Sequence, residues 1–305
     1  MTLRQTAVGD WRLSDEDFLA SFAPPTDGDR VDPLAALNPL QGEGRLRFDA
    51  ASHTYYHDGR PVPRSVTALL KSYSTGFDAQ RAAEGLLASP TWPWRRAAYD
   101  EQLGEPATVD SVVALWTRNG EVQRARGQLL HYQADQMCQG RAIEEPWSPE
   151  LQQARGVLAA VASLGLRPFR SEVSIYHAGL RVAGQPDLLL TDEAGTLSVL
   201  DWKRIRALNF DCRFRSLRAP LEHLPDCNFW LYSLQVNLYA YILRAEYGAA
   251  VGPGYLGVVH PELPRGRCVE VPDLRDEIAA IVEAEVGAGR GRQAERDDVS
   301  DDAVL

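Results

Sequence analysis

Residues Gly184 to Arg204 read GQPDLLLTDEAGTLSVLDWKR, two apolar, strand-like runs that carry two acids and a lysine. Asp187 opens the leucine run, and Asp201 and Lys203 close the second. Side chains alternate across a strand, so Asp201 and Lys203 project on the face shared by Leu197 and Val199, while Leu200 and Trp202 point the other way. If the two runs pair, Asp187 can sit beside Asp201. Carboxylates that close repel each other and raise one another's pKa unless a cation lies between them. A hard divalent ion with oxygen ligands, Mg2+ or Mn2+, suits that arrangement. Lys203 could then polarise a water or stabilise developing anionic charge. The competing reading is a solvated strand end with ordinary charges. Against it, DLLL and LSVL look buried on both faces, and buried charges need partners.

Outward from this stretch, the periodicity gives three consecutive strands, 170–177, 180–191 and 196–203, joined by Ala178-Gly179 and by DEAGT. Before them stand a long helix from Glu121 to about Gly140 and another over QQARGVLAAVASLG. After them come an amphipathic helix, about Asn228 to Tyr247, two short strands (GYLGVVH and RCVEVP) and a last helix over LRDEIAAIVEAEVG. Further upstream, LRFDAASHTYYHDGRPVP reads as a hairpin turning at Asp58-Gly59, and Ser65 caps a helix over SVTALLKSY. FDAQRAAEGLLAS and DSVVALWTRNG read as two more helices. Helix, three strands, helix and strand make a compact α/β order. The expected division is a flexible leader (1–45), a hairpin and helical region (46–120), the core (121–288) and a disordered tail (289–305).

The chain has 305 residues, 45% of them hydrophobic, enough for a substantial core. Its formal charge of −10 argues against broad, non-specific binding to a polyanion but leaves room for a local basic groove. No apolar run approaches the ~20 residues needed to span a bilayer, and the opening MTLRQTAVGDWRLSDEDF lacks a signal-peptide core. The expectation is a soluble, intracellular protein with no membrane partner.

Pro186-Asp187, thirteen intervening residues and then Asp201-Trp202-Lys203 resemble the motif that names the PD-(D/E)XK nuclease superfamily. The surroundings are similar to its RecB-like branch, which includes the mitochondrial genome-maintenance exonucleases and phage recombination nucleases. That branch carries Gly-x-x-x-His on a helix before the strands, matched by Gly127 and His131 in GQLLH. It carries a glutamate at the first strand, matched by Glu172 in RSEVSIYH. A helix with Gln-x-x-x-Tyr follows, matched by Gln235 and Tyr239 in LQVNLYAY. PRSVTALL also resembles a helix start of those exonucleases. The resemblance implies a restriction-endonuclease-like core with an N-terminal hairpin and helical addition. It implies Asp187, Asp201, Lys203 and Glu172 as catalytic groups, with His131, Asp187, Asp201 and the carbonyl of Trp202 around the metal. Gln235 and Tyr239 would face the substrate. Each match also has a physical sense. Gly127 and His131 lie one turn apart on a helix, the glycine suggesting a close backbone approach, and Asp135 could orient the imidazole.

After Lys203, RIRALNFDCRFRSLRAP sets Arg204, Arg206, Arg213, Arg215 and Arg218 against one acid, with Phe210 and Phe214 interleaved. That pattern suits phosphate contact and base stacking, though a charge run is as often a solvated loop. Some RecB-like nucleases hold an iron–sulfur cluster on four cysteines. Here Cys212, Cys227 and Cys268 are 15 and 41 residues apart, too dispersed for one, so none is expected. The resemblance thus implies a Mg2+-dependent deoxyribonuclease, an exonuclease on single-stranded DNA or DNA ends. Two alternatives stand beside it: a nuclease-fold protein that binds DNA without cutting it, and a non-catalytic assembly protein with a buried ion network.

Overall fold

A computed structural model describes residues 13–23, 32–49, 52, 54–143, 147–212 and 215–287. The expected disordered tail and Arg213 and Phe214 lie outside the described residues. In chain order the elements begin with helices α1 (Asp15–Ser21) and α2 (Pro33–Leu37) and strands β1 (Leu46–Asp49), β2 (Thr54–His57), β3 (Arg60–Pro61) and β4 (Arg64–Ser65). Helices α3 (Val66–Tyr73), α4 (Ala79–Leu87), α5 (Trp92–Leu103), α6 (Val109–Cys138) and α7 (Pro149–Ser163) follow. Then come β5 (Arg167–Ser171), β6 (Ile175–His177), β7 (Val182–Gly184), β8 (Leu188–Thr191) and β9 (Leu197–Arg204). Helix α8 (Asn228–Tyr247), strands β10 (Tyr255–Val259) and β11 (Arg267–Glu270) and a helix over 275–287 complete the chain.

Two compact units result, one of Met1–Pro25 and Gly76–Tyr132, the other of Thr26–Thr75 and Gln133–Leu305. In the first, Ser14 caps α1 by accepting from the Asp17 N–H, and the guanidinium of Arg126 lies 4.3 Å from the ring centre of buried Phe18. The two helices expected on either side of Asn119-Gly120 are one, α6, of 30 residues. A single glycine costs a helix only about 1 kcal/mol. The buried stripe Val112, Val122, Ala125, Leu130 and Ala134 carries helical periodicity straight through it. Gly127 has open space where a side chain would be, so no close approach requires it.

In the second unit the hairpin forms as expected, with Asp58 and Gly59 both left-handed (φ 48° and 76°) at the turn. Ser65 caps α3 through the Ala68 N–H. Five strands, ordered β11-β10-β9-β8-β5, make the main sheet, with β9 and β10 parallel and the other pairs antiparallel. A second sheet is ordered β4-β7-β6. This mixed α/β architecture agrees with a restriction-endonuclease-like fold.

The strand bounds differ from the expected ones for a definite reason. Glu172 adopts a left-handed backbone (φ 48°), which ends β5 and sends the chain to the second sheet as β6. The run 180–191 breaks likewise at Gln185–Asp187, where β7 leaves the second sheet and β8 joins the first. Gly184 sits at that crossing because a Cβ there would lie 2.6 Å from Tyr239 and 2.8 Å from Val66. Helices α3 and α8 therefore pack directly onto β7, and Leu69, Ile175, Leu189, Leu234, Leu238 and Leu256 fill the core between them and the sheets.

Candidate active site

Strand register places the acids. Leu188 pairs with Leu200, so the next position sets Asp187 opposite Asp201. Ser171 pairs with Leu188, and the Glu172 N–H donates to the Asp187 carbonyl at 3.1 Å, setting Glu172 beside Asp187. Three acids thus stand side by side, Glu172 just past the end of β5, Asp187 just before β8 and Asp201 on β9. Glu172 and Asp187 offer carboxylate oxygens within 4.8 Å of one another. Asp187 and Asp201 are 8% and 1% exposed. The Trp202 N–H donates to Asp187 Oδ2 at 2.6 Å, fixing that carboxylate to the neighbouring strand. The Trp202 ring is buried over Gly257, its partner on β10, where a Cβ would come within 2.4 Å of the ring.

Lys203 is ion-paired with Asp201. Burial pushes its ammonium down, but Asp201 and Asp187 outweigh burial and hold its pKa above the ordinary lysine value. Lys203 Nζ also donates to Gln235 Oε1 at 3.1 Å and lies 4.5 Å from the Tyr232 ring centre. Gln235 Nε2 in turn donates to the Tyr239 hydroxyl at 3.2 Å and to Thr67 Oγ1 at 3.4 Å.

Tyr239 is 3% exposed, and Gln235 bonds Lys203, Tyr239 and Thr67 through its amide. Together they aim the lysine. The Arg204 side chain is 6% exposed and ion-paired at 2.9 Å with Glu150. Arg206 pairs with Glu262 at the surface, and Arg218, also exposed, donates to the Ser72 carbonyl at 3.0 Å. Arg215 is exposed and donates to the Asp226 carbonyl at 3.4 Å. Asp135 accepts hydrogen bonds from Ser171, Gln136 and Gln139, which ties the end of α6 to β5. His131 stands one turn before Asp135 on α6.

Two site residues escaped the sequence. Tyr232 precedes Gln235 by one turn of α8, a spacing that would have marked it once Gln235 was singled out. Tyr55 on β2 had no such signal; burial, then the charges of Glu172 and Asp187, hold its phenol above its usual pKa.

The row tests well as a cation site. Glu172, Asp187 and Asp201 set three carboxylates, two of them buried, against the single Lys203 ammonium, and a cation among them would relieve the excess negative charge. The donors are hard oxygens, the set that Mg2+ takes.

A family model described as the PD-(D/E)XK nuclease superfamily matches residues 93–301. Among solved structures, the protein SSO0001 is 14% identical over 72% of this chain and 84% of its own, with a TM-score of 0.27. A candidate exonuclease from Eubacterium rectale is 15% identical over 62% of this chain and 80% of its own, with a TM-score of 0.26. Likeness at this level assigns neither fold nor activity. No curated protein matches the chain. No helix among the described residues is long and apolar enough to cross a membrane.

Proposed function

The chain belongs to the PD-(D/E)XK nuclease superfamily, and from that premise we propose that it is a divalent-metal-dependent deoxyribonuclease, an exonuclease acting on single-stranded DNA or DNA ends. The observation that supports this reading most is the row Glu172–Asp187–Asp201 with Lys203 paired at its end. Asp187, Asp201 and Glu172 would hold Mg2+ or Mn2+, with the Trp202 carbonyl as a further oxygen. His131 would be the nitrogen ligand, on the strength of the Gly-x-x-x-His match. Bound there, the ion would activate water and neutralise charge on the leaving oxygen.

The protein's own groups divide the remaining work. Asp201 and Asp187 keep Lys203 protonated, so it enters the reaction as a fixed hydrogen-bond donor. Gln235 holds the direction of that ammonium, so that little reorganisation is needed when the phosphate gains charge. The rigidity of paired strands sets the carboxylates with the precision such chemistry needs. Arg206, Arg215, Arg218 and Arg213 would contact phosphates along the strand.

The buried Lys203–Asp201 pair also suits the non-catalytic reading, in which these charges form an ion network. Cleavage separates the two. Purified protein incubated with end-labelled single- and double-stranded DNA should degrade the single strand or the free ends in Mg2+ and nothing in EDTA. Intact DNA of every form in Mg2+ and in Mn2+ would remove the nuclease reading.

A further inference from the structure

The segment 205–212 leaves the lysine end of β9 and folds back along the first turn of α8. Its backbone is clamped there. Asn228 Nδ2 donates to the Ala207 carbonyl at 3.0 Å, and the Asn209 N–H donates to Asn228 Oδ1 at 2.7 Å. Cys227 Sγ donates to the Asn209 carbonyl at 2.7 Å, and Trp230 Nε1 to the Phe210 carbonyl at 2.9 Å. Held this way, Phe210 remains 50% exposed while its ring packs 4.3 Å from Phe229, which meets Trp230 edge-on at 5.3 Å. Phe210 leans on the Phe229 ring, which Trp230 supports from behind, and half of its surface stays open to solvent.

Its distance from the chemistry follows from α8. Phe229 and Tyr232 are three residues apart on that helix, about 4.5 Å along its axis, on one face. Phe229 carries Phe210, and Tyr232 lies beside Lys203 Nζ. The shelf and the ammonium thus meet neighbouring positions of one face of α8, Phe210 through Phe229 and Lys203 through Tyr232, and exposed Arg206 and Arg215 flank the same segment. An apolar ring next to cationic groups fits a ligand that alternates flat π-faces with negative charge.

We propose that Phe210, backed by Phe229 and Trp230, is a stacking shelf for an unpaired nucleobase adjoining the phosphate that is cut. A base inside a duplex has both faces covered by its neighbours, so the shelf selects a strand that is single at that point. The proposal rests on the nuclease reading and supplies its substrate class.

The test compares two ligands with equal phosphates: labelled oligothymidylate and an abasic strand of the same length, with binding followed by fluorescence anisotropy in Ca2+. Phe210→Ala should bind oligothymidylate roughly 5- to 150-fold more weakly than the parent and the abasic strand equally well. Phe210→Trp should stay within about twofold on both. Thermal melting of each variant checks that the fold is kept. Parent-like binding of oligothymidylate by Phe210→Ala, or an equal loss on the abasic strand, would overturn the shelf. A parent protein that shows the base-dependent difference but cuts no DNA would instead sink the nuclease reading and leave the shelf standing. No binding of either strand by the parent would remove both.

Discussion

Replacing Lys203 by Met removes the ammonium of the acid row and keeps an apolar stem of similar length. In the parent that ammonium pairs with Asp201, whose side chain is 2% exposed, and shares the row with Asp187 and Glu172. Removing one partner of a buried pair costs about 3–5 kcal/mol. Lys203 is 15% exposed, so solvent reaches the site and the lower end, about 3 kcal/mol, applies. At roughly 2–4 °C per kcal/mol, the variant should melt about 6–12 °C below the parent in EDTA. Mg2+ should return much of that loss, because a cation among the carboxylates neutralises the charge the lysine did. A ligand at 100 times its Kd adds about 2.7 kcal/mol. Thermal melts by circular dichroism in EDTA and in Mg2+ read both effects, and cleavage of end-labelled DNA should be lost in either condition. If Lys203 only packs, methionine is neutral or stabilising. A variant that melts like the parent in EDTA and responds to Mg2+ no more than the parent does would refute the reasoning.

Arg204→Leu should destabilise by about 3–5 kcal/mol, since it strands Glu150 in a buried position. It should leave the salt dependence of DNA binding unchanged, and a flatter salt slope would return Arg204 to the interface. Asp226 accepts from the Thr75 N–H, Thr75 Oγ1 and Ser74 Oγ; burial raises its pKa, but these bonds and Arg215 outweigh burial and leave it below the usual carboxylate value. A depressed folded pKa gives stability that is present above the unfolded value, ~3.9, and is lost as pH falls through the folded one. Asp226→Asn should therefore lower the melting temperature at pH 7 and flatten its fall below pH ~3.9. An unchanged acid limb would show the carboxylate is not the cause. His131→Ala should raise the Mg2+ concentration for half-maximal cleavage by at least the ~10–100-fold that loss of a mere supporting partner brings. An unaltered Mg2+ titration would demote His131 to a structural residue.

What could be read from the sequence was whatever follows local periodicity. The alternation of a strand put Asp201 and Lys203 on one face, and the turn at Asp58-Gly59 and the cap at Ser65 are short-range rules that tertiary context left alone. Glu172 shows where such rules end. Its left-handed backbone splits one expected strand between two sheets, and nothing in RSEVSIYH marks that conformation on a glutamate. Asn119-Gly120 looked like a break because its cost is local, while the buried stripe that carries α6 through it comes from packing. The arginine run shows a related limit. Arg204 finds its acid 54 residues away in Glu150, a partner that inspection of the run alone does not reveal. Gln235 was marked by the resemblance of LQVNLYAY to a Gln-x-x-x-Tyr helix, but its bond to Lys203 spans 32 residues, so its direction had to come from the fold.

The most direct test of the catalytic centre is cleavage by Asp201→Asn beside the parent. Asparagine keeps the shape of this nearly fully buried side chain and removes the charge that a cation and Lys203 require. With end-labelled single-stranded DNA in Mg2+, the parent should cut, EDTA should stop it, and the folded variant should leave the strand intact. Cleavage by Asp201→Asn at the parent rate would contradict the assignment of hydrolysis to this row of acids.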